Sequence, residues 1–401
     1  MRIAFIVVAV GLTTAVVPVA ASAAQTDTVG VAGYQSASGW QPAMSQSLPP
    51  LQFSGAFLGL FDALKQDERA ATDPVRSQFE FAINIALEWQ LSPHVRGVAL
   101  LQSGTGGGVF GFQGPGVNVT DLNLVFDADL SGSVEAVSLT LGSFDTPFGE
   151  ETAFLTSNAH SFGNSFVINS LFYSVFGGTV ATLNTLGAMG TIETSVVDLT
   201  VALTNGTDES AANADGNYGI VVSVGTDYGL SGLRTALSFI KTDDNDPSGS
   251  TGFAADLTGV MLDFRAEITD RVSAKGYFSR LRFGDADPAT EDDLSAWMGE
   301  LRVGKGGWHA AARLSGWTPD DSDGGGSGMS AVLPSSGLAV RLGGISPVLD
   351  QAIRRIQAGV GRAIRDNLVI KGEWFFDDYR RLSAGRSTDV IGVIVSLNGR
   401  F

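Results

Sequence analysis

His94, His160 and His309 are the side chains in this sequence best suited to proton transfer at neutral pH, and they lie far apart, without the spacing of a metal-ligand set. Cysteine is absent, so thiolate nucleophiles, thiolate metal sites and disulfides are excluded. Asn158-Ala159-His160-Ser161 places a hydroxyl beside an imidazole, as a Ser/His hydrolase would need. A nucleophile and its base must converge within hydrogen-bond reach, and neighbours on one loop seldom do. Asp243-Asp244-Asn245-Asp246 and Asp320-Asp321-Ser322-Asp323 could offer oxygens to Ca²⁺, but neither has the spacing of an EF-hand loop. These are expected to be solvated acidic loops. The expectation is no enzyme, no catalytic residue, no metal and no cofactor.

Polar residues at alternate positions are more informative. In 79–89, Phe79, Phe81, Ile83, Ile85, Leu87 and Trp89 share one side, with Glu80, Asn84 and Glu88 on the other. Period 2 is that of a strand with one apolar and one wet face. The same parity places Asp121, Asn123 and Asp127 on a polar face in an early segment. In later segments it places Arg234, Asp263, Arg265, Glu267, Glu300, Arg302, His309, Arg313, Arg355, Gln357, Lys371 and Glu373 there. The early wall reads as acidic and most of the basic residues as lying opposite. Opposed charge across a narrow passage orders water and favours polar solutes. Arg313 and Arg355 are the foremost candidates for contacts at a constriction.

Such segments recur at 51–61, 75–89, 95–102, 117–130, 134–144, 182–192, 196–204, 218–226, 233–241, 256–268, 272–283, 294–304, 308–317, 351–364, 368–379 and 388–401. About 16 strands, an even number, are what a single-chain bacterial barrel requires. The connections alternate between short (91–94, 131–133, 269–271, 304–307, 365–367) and long (62–74, 104–116, 205–217, 242–252, 284–293, 318–350). This parity puts both termini at the end with short turns, which in outer-membrane barrels is the periplasmic one. Trp89, Trp308, Trp317, Trp374, Phe376 and Phe401 are candidates for interfacial aromatic girdles.

Composition agrees. The chain has 51 Gly, 24 Phe, 44% hydrophobic residues and a mean hydropathy of +0.17, yet no stretch after the leader is apolar enough for a spanning helix. A barrel distributes hydrophobicity in this way. Arg2, the apolar run 3–20 and Ala21-Ser22-Ala23 form an export signal with a small-residue cleavage site, giving a signal peptide at 1–23. Residues 24–50, rich in Ser, Gln and Gly, read as a periplasmic or lumenal lead segment, and 51–401 as the barrel. The net charge of −17 becomes −18 on losing Arg2, which disfavours nucleic acid as a partner.

The connection after residue 144 opens with Asp145, Thr146, Pro147, Phe148, Gly149, Glu150 and Glu151 and continues through Phe154, His160, Phe162, Phe166 and Phe172. So aromatic a segment suits a loop folded into the lumen better than a solvated one. Asp145, Glu150, Glu151 and His160 are its candidate constriction residues. A lid or subunit contact is the other reading.

Phe401 ends an alternating run of Ile391, Val393, Val395 and Leu397, and resembles the terminal aromatic signal of bacterial outer-membrane proteins. Leu141-Gly142-Ser143-Phe144-Asp145-Thr146-Pro147-Phe148-Gly149, with Leu199-Thr200-Val201-Ala202-Leu203-Thr204-Asn205-Gly206 further on, resembles Gly-x-x-x-x-Pro-Phe-Gly and strand-Asn-Gly patterns of Gram-negative porins similar to the phosphate-selective O and P family. That resemblance implies an all-β transmembrane antiparallel barrel in the bacterial outer membrane with an inward constriction loop. It implies a homotrimer surrounded by outer-membrane lipid and lipopolysaccharide, passing small hydrophilic solutes or ions by diffusion. Members pass anions such as phosphate along Arg and Lys ladders, from which this acidic chain departs by having no dense ladder. The alternatives are a ligand-specific uptake channel for phosphate, a sugar or a siderophore, and a non-conducting receptor or adhesion barrel.

Overall fold

Alternating apolar and polar residues can satisfy their backbone groups within a membrane only if the sheet closes on itself. The computed structural model of the chain shows that closure. It describes residues 51–66, 75–104, 117–130, 132–149, 165–167, 184–205, 218–227, 232–242, 256–284, 292–320, 351–381 and 387–401. The strands are β1 (Gln52–Gln66), β2 (Val75–Ser92), β3 (Val95–Gly104), β4 (Val117–Asp129), β5 (Val134–Asp145), β6 (Asn184–Thr194), β7 (Val197–Thr204) and β8 (Gly219–Asp227). They continue as β9 (Leu233–Thr242), β10 (Asp256–Thr269), β11 (Val272–Gly284), β12 (Asp292–Lys305), β13 (Trp308–Asp320), β14 (Gln351–Arg365), β15 (Leu368–Arg381) and β16 (Ser387–Arg400). Each pairs antiparallel with its sequence neighbours, and β16 returns to β1, so the 16 strands form one closed barrel with no helix among the described residues.

The seam is closed by pairs running from Ala56↔Arg400 to Gln66↔Val390. Beyond them, Gly55 and Phe401 exchange backbone bonds of 2.8 and 2.9 Å. A Cβ on Gly55 would stand 2.5 Å from Phe401 Cζ. The terminal ring therefore lies on the bare backbone of Gly55, a cross-strand aromatic–glycine pair.

Register fixes which side chains face out. Phe61 pairs with Phe79 and Val395, Trp297 with Phe278, and Trp374 with Val393. These rows are exposed and apolar, with Phe79 as much as 78% accessible. That outer band is what lipid requires. The turns at the terminal end are tight: Gly306 and Gly307, with φ of 59° and 80°, link β12 to β13 where both central residues need positive φ.

Several edges differ from the sequence reading. β1 runs on to Gln66, so Asp62 is an inward-facing strand residue and not part of a loop. Its neighbours Ala63 and Leu64 conceal the strand from a pattern search, but pairing on both sides extends it. Trp317 is no girdle residue. It stands nine positions from outward-facing Trp308 on one strand, hence on the opposite face, and it is fully buried inside.

Candidate functional site

The inner wall is built from residues of one parity on each strand, and ion pairs run across it, most of them between neighbouring strands. On β13, Arg313 places Nε 2.8 Å and Nη2 2.5 Å from Oε2 of Glu300 on β12. Lys275 of β11 stands 3.7 Å from the same oxygen. Register sets Lys275, Glu300, Arg313 and Gln357 in one cross-strand row. Arg355 of β14 forks onto Asp377 of β15, with Nε–Oδ1 at 2.7 Å and Nη2–Oδ2 at 2.8 Å. On the early wall, Arg96 of β3 lies 2.9 Å from Asp127 on β4 and 3.5 Å from Glu88 on β2. Arg234 of β9 reaches Asp198 of β7 at 3.2 Å, and Arg265 lies 3.3 Å from Glu267 on β10.

Two pieces of the connection between β5 and β6 lie against this wall. Phe148 is fully buried, and a Cβ on Gly259 of β10 would stand 3.2 Å from its Cζ. The adjacent Gly149 N–H donates to Ser238 Oγ of β9 at 3.2 Å. Further on, the Phe166 ring sits under the Arg313 guanidinium, 4.7 Å from ring centroid to Cζ. A Cβ on Gly359 of β14 would stand 3.0 Å from Phe166 Cε1. The Val167 N–H donates to Glu373, and Ser165 bonds Glu300 through its side chain and His309 through its backbone. Segment 165–167 is thus clasped by groups from β12, β13, β14 and β15.

The structure places Glu80, Glu88, Asp121, Asp127, Arg234, Arg265, Arg302, Arg313, Arg355 and Lys371 on inward-facing positions. It brings Arg313, Arg302, Lys371 and His309 near Glu300 and Glu373, while Asp121 and Asp127 lie on β4 and Glu80 and Glu88 on β2, only three strands from β15 through the β1–β16 seam and not across the barrel from it. The two walls are less distinct in charge than the sequence suggests, because the late arginines have carboxylates beside them. Asp145 ends β5. Glu150, Glu151 and His160 lie outside the described residues, as do 1–50, most of the two acidic clusters and Asn158-Ala159-His160-Ser161. His94 lies in the tight β2–β3 turn, where its carbonyl accepts from Asp127 N–H. No group of three or more potential metal-ligating residues occurs among the described residues.

Sequence reasoning missed Asp62, Lys275, Arg96, Asp198 and Asp377 on the inner wall, although strand parity alone would have found Lys275 and Asp377. It also missed the apolar inner surface of Leu58, Leu60, Trp317, Ile353, Phe375 and Ile394, all buried. The sequence reading names only polar residues on that face of the strands.

This is the fold of outer-membrane porins, a 16-stranded closed barrel with an apolar exterior and a charged interior. Among solved structures it is similar to an anion-selective porin from Comamonas acidovorans, at 12% identity over 88% of this chain and 99% of that one, with a TM-score of 0.55. OprB of Pseudomonas putida gives 9% identity, 88% and 94% coverage and a TM-score of 0.60. OmpF of Salmonella typhi, in complex with daunomycin, gives 12%, 88% and 97%, and 0.55. No family model and no curated protein matches the sequence. At these identities the likeness is one of fold.

Proposed function

We propose that this chain is a bacterial outer-membrane porin through which small hydrophilic solutes and ions diffuse passively, with no catalytic step. The observation that carries this reading is the inner wall itself, where cross-strand ion pairs such as Glu300–Arg313 and Asp377–Arg355 line a barrel whose outside is apolar. Buried charge inside a lipid-facing barrel has a use when polar solutes must pass it. Residues 1–23 act as the export signal, 24–50 as the lead segment, and three copies form the working unit in outer-membrane lipid. The 146–149 and 165–167 pieces belong to a loop that narrows the passage. Single-channel recording of the purified mature protein under a KCl gradient tests this. Steady ohmic steps are expected; a folded barrel that never conducts overturns it in favour of a receptor or adhesion barrel.

One observation favours a narrower, ligand-specific channel. Trp317, Phe375, Ile394, Leu58 and Leu60 present apolar surface on the inner wall and are almost completely covered. A wide aqueous pore would leave such residues wet. A specific channel shows saturable block of its current by its solute, and candidates for that assay are phosphate, sugars and siderophores. Phosphate is the anion that the motif resemblance singles out.

A further inference from the structure

One cross-strand row of the inner wall is made of hydroxyls. Register joins Ser138 of β5 to Thr191 of β6, Thr191 to Thr200 of β7, Thr200 to Ser223 of β8 and Ser223 to Ser238 of β9. All five belong to the inward parity of their strands, since Leu139, Ile192, Leu203, Val224 and Leu237 are exposed on the other side. Thr191 Oγ1 and Thr200 Oγ1 bond each other at 3.3 Å, and Ser223 Oγ and Ser238 Oγ at 3.0 Å. Ser138, Thr191, Thr200 and Ser223 are half-buried, whereas Ser238 is covered and accepts from Gly149 N–H.

Strands of a closed barrel tilt, so a cross-strand row winds along the axis as it passes round the wall. This row starts beside Asp127, which pairs with Ser138 two residues from the end of β4, and reaches Ser238 five residues above the start of β9. Its four strand intervals cover about 19 Å. The hydroxyls thus form a ramp from the short-turn mouth up to the 146–149 piece of the narrowing loop. Beyond the upper end, Ser279 of β11 stands in the same row, carried there through Met261, and Thr242 lies four residues further up β9. Both are buried, and among the described residues neither Ser279 Oγ nor Thr242 Oγ1 has a hydrogen-bond partner. Buried hydroxyls without partners call for a group that visits them.

The chemistry of the row selects its solute. A hydroxyl donates and accepts at once, so a row of hydroxyls suits a molecule whose own groups do both. An anion uses only the donors, and a cation only the acceptors. Directly beneath the row, Glu193 stands opposite Asp198, which holds Arg234 at 3.2 Å, and Asp127 at the lower end is paired to Arg96. Among these, three carboxylates face two guanidinium groups. That flank opposes phosphate on this wall, while its oxygens can accept from the hydroxyl groups of a solute.

We propose that the row from Ser138 to Ser238 is a binding track for neutral polyhydroxylated solutes, saccharides of a few rings, on the short-turn side of the narrowing loop. The track names the solute class of the ligand-specific channel described above and rests on that reading. The probes are maltotriose, glucose and inorganic phosphate, each titrated against single channels of the full mature protein in a planar bilayer with symmetric KCl. Maltotriose is expected to interrupt the current saturably and at lower concentration than glucose, because it spans more of the row, and both at lower concentration than phosphate. T191V/T200V keeps the side-chain shape, removes two hydroxyls and raises the half-blocking concentration of maltotriose at least about fivefold. T191S/T200S keeps the hydroxyls and keeps the block.

Equal block of wild type and T191V/T200V overturns the track. So does a T191S/T200S variant as weakly blocked as T191V/T200V, since the methyl groups then matter and the hydroxyls do not. Phosphate blocking at lower concentration than either sugar overturns it too. Conducting channels that no sugar blocks sink the track and leave the porin standing. A folded barrel that never conducts sinks the channel, and calorimetry of maltotriose with wild type and T191V/T200V in detergent then decides the track by itself: binding that the variant weakens upholds it, and no binding overturns it.

Discussion

Arg355 and Asp377 face each other from adjacent strands of the inner wall, joined by two hydrogen bonds of 2.7 and 2.8 Å, with side chains 1% and 0% exposed. The Phe375 ring centroid lies 5.6 Å from the guanidinium carbon. Removing one member takes this fork from the other's buried charge, a loss of about 3–5 kcal/mol, whereas replacing both with apolar residues of similar volume is often close to neutral. R355M is therefore expected to lower stability by about that amount, and R355M/D377L to recover most of it. Unfolding midpoints in urea, taken in lipid vesicles, measure both. A double variant as unstable as the single one would mean that the pair's worth lies in contacts other than each other.

Arg313 has a second task besides its bond to Glu300, since it covers Phe166. R313A leaves Glu300 with Lys275, 3.7 Å away, as its ion-pair partner on the next strand. The reversal potential under a KCl gradient should then move towards cation preference. An unchanged value would place the ion path away from the row of Lys275, Glu300, Arg313 and Gln357.

Phe166 and Gly359 give a pair of opposite expectations. The ring lies against the wall because Gly359 has no side chain there, and a Cβ would come within 3.0 Å of it. G359V adds three carbons at that spot and pushes the ring towards the axis, so conductance falls. F166A removes the ring and conductance rises. If both variants conduct like wild type, the 165–167 segment does not set the narrowest point.

Much of this barrel is legible in the sequence because one-sided burial writes period 2 into each strand. Glu80, Glu88 and Asp127 announce their face two positions at a time, and so do Phe79 and Phe81. Trp317 shows how an aromatic near a strand end is misassigned when its type is weighed above its parity. The ion pairs are a different matter. Arg355 and Asp377 are 22 positions apart and Arg313 and Glu300 are 13 apart; only the register across a turn brings them together. Parity gives a residue's face, and register gives its partner. The niches for Phe148 and Phe166 are harder still, since Gly259 and Gly359 look like ordinary strand glycines until the loop lies on them.

The depth of the outer band can be measured with one residue type at two heights on β10. Thr258 lies in the row of Lys241 and Arg282, near the long-connection end, and Leu262 lies four residues further into the band, between Leu237 and Phe278. Four strand residues span about 13 Å. Arginine on the lipid face costs about 2–4 kcal/mol at the bilayer midplane and about 0–1 kcal/mol near the interface. L262R should therefore lower stability by an amount near the first range and T258R by an amount near the second, in phosphatidylcholine vesicles that hold no glycolipid. The measurement is the urea midpoint of the folded barrel. Similar small losses at both positions would mean that β10 does not face hydrocarbon, and the outward row of Val260, Leu262 and Phe264 would then have to be covered by protein.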